Sequence, residues 1–172
     1  MAISLYDATV ATFIQIVGGV EGVLVRGLDH FGDRAIDPEE ILMMRLHSDM
    51  LPFRFQVNSV VHHSLGAIAG VRQGQFAPSP GPELTYAGLQ KHVSEAKTEL
   101  EAISREEVEG FVGKPCAFKF GERVVPFTAE NFLLSFSMPN FFFHAATAYD
   151  ILRQQGVPLG KRDFMGRLRI KT

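Results

Sequence analysis

The chain has 172 residues, of which 46% are hydrophobic and 21% charged, with a formal net charge of −2 and a pI near 6.3. These values exclude a disordered, collagen-like or fibrous chain, and they give no broad electrostatic claim on nucleic acid or an anionic membrane. A lone cysteine, Cys116, excludes an internal disulfide framework and a multi-cysteine zinc site, and the length suits one domain over residues 1–172.

Phe13, Ile16, Val17, Val20, Leu24, Leu28 and Phe31 recur at steps of three and four, which predicts a first helix over residues 4–30. Gly18, Gly19, Gly22 and Gly27 each cost such a helix about 1 kcal/mol relative to Ala. Tertiary packing must offset that cost, and small residues suit the close approach of a neighbouring helix. Asp37-Pro38-Glu39-Glu40 is a helix start, with a cap, a proline at the first position and acids at the positive dipole end. Pro52 must break or kink that helix. A second piece then runs over 52–72 with Val57, Val60, Val61, Leu65 and Ile68 as its stripe. Residues 73–84 are a loop by their glycine and proline content. A third helix is expected over 85–103 on Leu89, Val93, Ala96, Leu100 and Ile103, and Ser104 can open one further turn.

The period then changes. Ala117–Phe120 and Arg123–Phe127 flank Gly121-Glu122, which predicts a β-hairpin inserted between helices. Thr128 can cap a last helix over 129–155, kinked at Pro139 and ended by Gly156. The basic tail, 157–172, is expected to be extended and partly ordered. Four helical patterns and a hairpin predict an all-α four-helix bundle, and the loop of about a dozen residues permits a crossover. The start of the chain lacks a basic segment followed by an apolar one. The longest apolar stretch, 127–148, is broken by Glu130, Asn131, Pro139, Asn140 and His144. These readings predict a cytoplasmic protein with neither a membrane nor a nucleic-acid partner.

The reactive inventory is six histidines: His30, His47, His62, His63, His92 and His144. Bundles build metal sites from facing helices, and imidazole suits zinc, nickel, copper and iron. His62 or His63 on the second helix could meet His144 on the fourth. Periodicity puts His62 and His63 on the flanks of a polar face. His144 shares a face with Leu133, Ser137, Asn140, Thr147, Ala148 and Ile151. It reads first as a core histidine bonded to a side chain or carbonyl, and second as a ligand. No His-x-x-x-His, Glu-x-x-His or His-Glu-x-x-His spacing exists. Cys116 reads as a small hydrophobe at a strand edge. Asp49 could orient His47 or cap the helix restarting at Pro52, the second being preferred. Phe141-Phe142-Phe143 points in three directions about 100° apart. One ring must therefore face the hairpin or another chain, which motivates a homodimer.

Three stretches together resemble a known group: Arg45-Leu46-x-x-Asp49-Met50, Pro139-Asn140-Phe-Phe-Phe-His144-Ala-Ala-Thr147-Ala148-Tyr149-Asp-Ile151-Leu152-Arg153, and Gly156-Val-Pro-Leu-Gly-Lys161-x-Asp163-Phe164. They resemble an uncharacterised domain-of-unknown-function family in the DinB/YfiT-like superfamily. The resemblance implies an up-down-down-up bundle, often dimeric. It also implies a divalent metal, zinc or nickel, on three histidines, and in some relatives a thiol-dependent transferase activity. By position His63 would be the second-helix ligand, with His62 as the alternative, and His144 the first of a fourth-helix pair. Ala148 stands where the second of that pair should fall. Asn140 and Tyr149 would contact substrate. The competing reading is a non-catalytic bundle with no metal, which binds a small apolar molecule or dimerises.

Overall fold

The computed structural model describes residues 3–171. The chain is mostly helical with a small three-stranded sheet. A turn, α1 (Leu5–Ala8), leads into the long α2 (Val10–Asp33). α3 (Pro38–Ile41) is one turn, begun by Asp37, whose side chain accepts from the Glu39 N–H. α4 (Phe53–His62) and α5 (Leu65–Gln73) follow, then β1 (Gln75–Phe76), α6 (Tyr86–Glu101) and α7 (Arg105–Glu109). β2 (Pro115–Phe120) and β3 (Arg123–Thr128) form the hairpin. The last helical stretch joins α8 (Ala129–Asn131), a π-helical segment (Phe132–Ser137) and α9 (Met138–Gln154). A short α10 (Lys161–Met165) closes the chain.

α2 packs on α6, α9 and α10, while α4 packs on α9 and α6. Phe13, Phe31, Phe53, Tyr86, Phe132 and Phe141 are the largest fully buried side chains between them. Phe13 meets Phe141 edge to face at 4.8 Å. The close approach announced by the glycines of α2 is real at Gly27. There the Tyr86 hydroxyl donates to Leu24 O at 2.9 Å, and a Cβ on Gly27 would fall closer than 3.0 Å to that hydroxyl. Among the described residues one helical stretch, Leu5–Asp33 across α1 and α2, could span a membrane by length and composition, rather than 127–148. Half of its most apolar window is buried inside the fold, where Val10, Phe13, Val17, Leu24 and Phe31 join the core.

The boundaries expected from Thr85, Ser104 and Thr128 hold, each side chain capping its helix. Elsewhere the structure corrects the sequence reading. The helix opened by Asp37 lasts one turn, because the carbonyls of Leu42 and Met44 accept from Arg54 N and Phe53 N at the start of α4. The single helix over 52–72 is two, parted at His63 and Ser64. The Ser64 hydroxyl donates to Val60 O at 2.7 Å, taking the carbonyl that an unbroken helix would offer to its own N–H. The loop over 73–84 begins with β1, which pairs parallel to β2 with Gln75 opposite Ala117 and Phe76 opposite Phe118. The hairpin, with Pro115 opposite Thr128, is therefore two strands of a three-stranded sheet. Cys116 lies on its central strand, not at an edge, and is 1% exposed. Pro139 falls in the first turn of α9, directly after the π segment, where its missing N–H is best tolerated. The tail is helical over Lys161–Met165 and docks on α2.

Candidate functional site

α4 and α9 cross with their histidines facing. Gln56 of α4 and His63, the residue that ends it, are seven residues apart, two turns, and so share a face. On the last helix Ser137 and His144 have the same spacing. The four side chains bond crosswise. His144 Nδ1 lies 2.7 Å from Gln56 Oε1, and His63 Nδ1 lies 3.4 Å from Ser137 Oγ. The two imidazoles are nearly parallel, with ring centroids 5.7 Å apart.

Donor and acceptor chemistry sets the tautomers. Gln56 Nε2 donates to Leu51 O at 2.7 Å, so its Oε1 faces His144 and Nδ1 of that ring carries the hydrogen. Ser137 Oγ donates to His63 O at 2.9 Å, so toward His63 Nδ1 it offers only lone pairs. Each ring is left with an Nε2 lone pair. Among the described residues neither Nε2 has a hydrogen-bond partner, and neither is sealed from solvent. Burial pushes His63 down to about 3, helped by the neighbouring His62 and His144, and pushes His144 down to about 4, helped by His62. Both rings are therefore neutral near pH 7. Phe76 and Phe136 stand against His63, and Phe55 and Phe143 against His144.

The structure thus brings His63 and His144 together, with His62 beside them at 5.4 Å from the His63 ring. His62 Nε2, however, is engaged by Ala77 O at 2.9 Å, and its ring stacks on Phe76 at 4.3 Å. His63 is buried, not on the flank of a polar face. Gln56, Asn58 and Ser59 are each under 5% exposed, so α4 has no polar face to flank at this level. Ala148 is 2% exposed and supplies no donor. Among the described residues no group of three or more His, Cys, Asp or Glu could hold a metal ion. Catalytic zinc takes three protein ligands, and two nitrogens fall short of that. The residues present do not fit a self-contained metal centre.

Asn140 and Tyr149 are occupied elsewhere. The Asn140 amide donates to Phe136 O at 2.7 Å, and Tyr149 packs edge to face on Phe164 of the tail helix. Asp49 bonds His47 Nδ1 at 2.6 Å, and Pro52, without a side-chain bond, caps α4, so the orienting role prevails over the capping one. Gln56 and Ser137 were not singled out as site residues. Their seven-residue spacing from His63 and His144 is the signal that could have found them.

A model of a domain of unknown function, DUF1993, matches residues 5–165. The crystal structure of a DinB family member protein from Shewanella denitrificans aligns with a TM-score of 0.78 at 22% identity, over 98% of this chain and 95% of that one, so the two share a fold. No curated protein matches the sequence.

Proposed function

We propose that this chain, which belongs to the DUF1993 family of DinB-like domains of unknown function, is an up-down-down-up four-helix bundle that binds a small molecule at the His63–His144 pair. The carrying observation is the pair of neutral imidazoles, locked crosswise by Gln56 and Ser137, with both Nε2 lone pairs open. A ligand with hydroxyl or amide hydrogens would donate to them, and its apolar part would lie against the surrounding phenylalanines. The divalent metal and thiol-transferase chemistry of the superfamily need a third ligand, which Ala148 and the engaged His62 do not supply. Function here is a matter of the site and not of the shared fold.

Elemental analysis of tag-free protein exposed to zinc or nickel, beside His144→Ala, tests this. Well under one metal per chain is expected in both. Near-stoichiometric metal that disappears in the variant would refute the proposal in favour of a metal-dependent enzyme. Fragments such as phenols, titrated into protein with 15N-labelled histidines, should move the His63 and His144 signals together.

The proposal keeps the protein in the cytoplasm and pairs it with a second copy. Phe143, 55% exposed beside His144, and Leu51, 49% exposed where it accepts from Gln56, are the supporting apolar surface. Light scattering should give twice the chain mass, and a monomer across a wide concentration range would count against the dimer.

A further inference from the structure

Away from the histidine pair, α2 turns a second face to a groove. Ala11, Ile14, Gln15 and Gly18 recur at helical spacing, on a different side of α2 from Phe13 and Val17, and are half-buried rather than part of the core. With α6 and the chain beyond α10 they line a cavity of about 930 Å³, at the upper end of the range for small-ligand sites. Gly166 sets the far wall in place. It has φ +62°, and a Cβ there would fall closer than 3.0 Å to Gln15 O, so the chain turns in contact with α2 before Leu168 and Ile170 pass along the groove. Those two side chains are 51% and 74% exposed, and the groove is open to solvent between them and Ile14.

The polar lining is three cations, Lys97, Arg167 and Arg169, one carboxylate, Glu101, and the Gln15 amide. Gln15 Nε2 is spent on Met165 O at 3.0 Å. Lys97 Nζ bonds Glu21 at 2.8 Å, and that contact first, then Glu101 at longer range, holds its ammonium charged. Arg169 donates to Asp7 O at 3.1 Å and Thr12 Oγ1 at 3.3 Å, both neutral groups, while the Asp7 carboxylate is taken by Arg105. Arg167, among the described residues, is in no ion pair. Lys97 and Glu21 cancel, so Arg167 and Arg169 stand against Glu101 alone, and the balance is positive.

We infer that this groove binds a single-chain alkyl carboxylate, whose head group pairs with Arg167 and Arg169 and whose chain lies on Ala11, Ile14 and Gly18 beside Leu168 and Ile170. The small positive excess suits a monoanion, and the guanidinium fork suits a carboxylate. Gly18 leaves the floor open, since a Cβ there would meet only Lys97 Cε, at 3.7 Å. The site is separate from the histidine pair and does not depend on the function proposed for it.

Titrating the full chain with decanoate, and separately with decyltrimethylammonium, below their micelle concentrations under 1H–15N NMR tests this. Saturable shifts at the Gly18 and Leu168 amides are expected with decanoate, with the cation at least about tenfold weaker. Arg167→Gln, at an exposed position, should weaken decanoate about fivefold, as loss of a partly screened charge-assisted bond would. Gly18→Leu fills the floor and favours the helix, so it should abolish binding, read at Leu168, without lowering the urea midpoint. Should that variant fail to fold, the probe comparison and Arg167→Gln decide alone. Absence of saturable shifts at Gly18 and Leu168, equal or tighter binding of the cation, unchanged affinity in Arg167→Gln, or undiminished binding by a folded Gly18→Leu would each overturn the inference.

Discussion

Replacing a helical glycine by alanine ordinarily stabilises a protein by up to about 1 kcal/mol. At Gly27 the opposite is expected. The Tyr86 hydroxyl sits where the new methyl would go, and the ring behind it is fully buried between Phe31 and Phe53. It cannot retreat without disturbing both. Overpacking of a filled core costs about 1–3 kcal/mol. Displacing the hydroxyl from Leu24 O leaves a buried donor unpaired, for about 1–3 kcal/mol more. Against a propensity gain of about 1 kcal/mol, Gly27→Ala should be destabilised by roughly 3 kcal/mol within a span of about 1–5, or a fall in Tm of about 6–12 °C for a chain of this size. The second half of the experiment is Tyr86→Phe, which removes the obstructing oxygen. In that background Gly27→Ala should be close to neutral, giving a coupling of about 2 kcal/mol in a double-mutant cycle read by urea denaturation. Neutral or stabilising Gly27→Ala in the otherwise unaltered chain would refute the reasoning.

Three further outcomes are expected. His63 and His144 protonate in the fold only near about 3 and about 4 but take up protons near pH 6.5 when unfolded, so stability should fall as pH drops from about 6.5 toward 4 and be fully present above 6.5. For His63 the loss by pH 5 is about 2 kcal/mol, and for the more solvated His144 it is smaller. His63→Gln should shrink the difference in stability between pH 7 and pH 5 by that amount, and an unchanged difference would sink the assignment. Cys116 is buried, which raises its thiol above the ordinary range, so Ellman's reagent should react with it only after denaturation, and Cys116→Ala should still fold. Thr85 Oγ1 accepts from Gly88 N at 3.1 Å to cap α6, so Thr85→Ala should cost about 1 kcal/mol, with equal urea midpoints arguing against the cap.

Much of the fold is legible in the residues, because caps and apolar stripes are local signals. Asp37, Thr85, Ser104 and Thr128 each announce a helix start that the structure honours. What is not local is not legible. β1 is two residues long and exists only because β2, some forty positions later, pairs with it. The break at His63 depends on one serine hydroxyl turning back to Val60 O, a choice that a continuous apolar stripe conceals. The meeting of His63 and His144 is recoverable from helical spacing, since each stands seven residues from the side chain that bonds the other. Their tautomers are not, because these depend on Leu51 O and His63 O, two backbone carbonyls that no side-chain pattern reports.

The π segment over Phe132–Ser137 bears on how this chain tolerates insertion and deletion. An extra residue in a regular α-helix turns everything beyond it by about 100°. A π turn takes up one residue locally, so the helix on either side keeps its facing. Losing one residue from this segment would tighten it toward ordinary α geometry, sparing Phe141 its place in the core and His144 its place opposite Gln56. Losing one residue between Met138 and Phe143 would instead rotate the segments bearing Ser137 and His144 relative to each other and uncouple the crossed pairs. Length variation among relatives should therefore collect in the first stretch and be purged from the second.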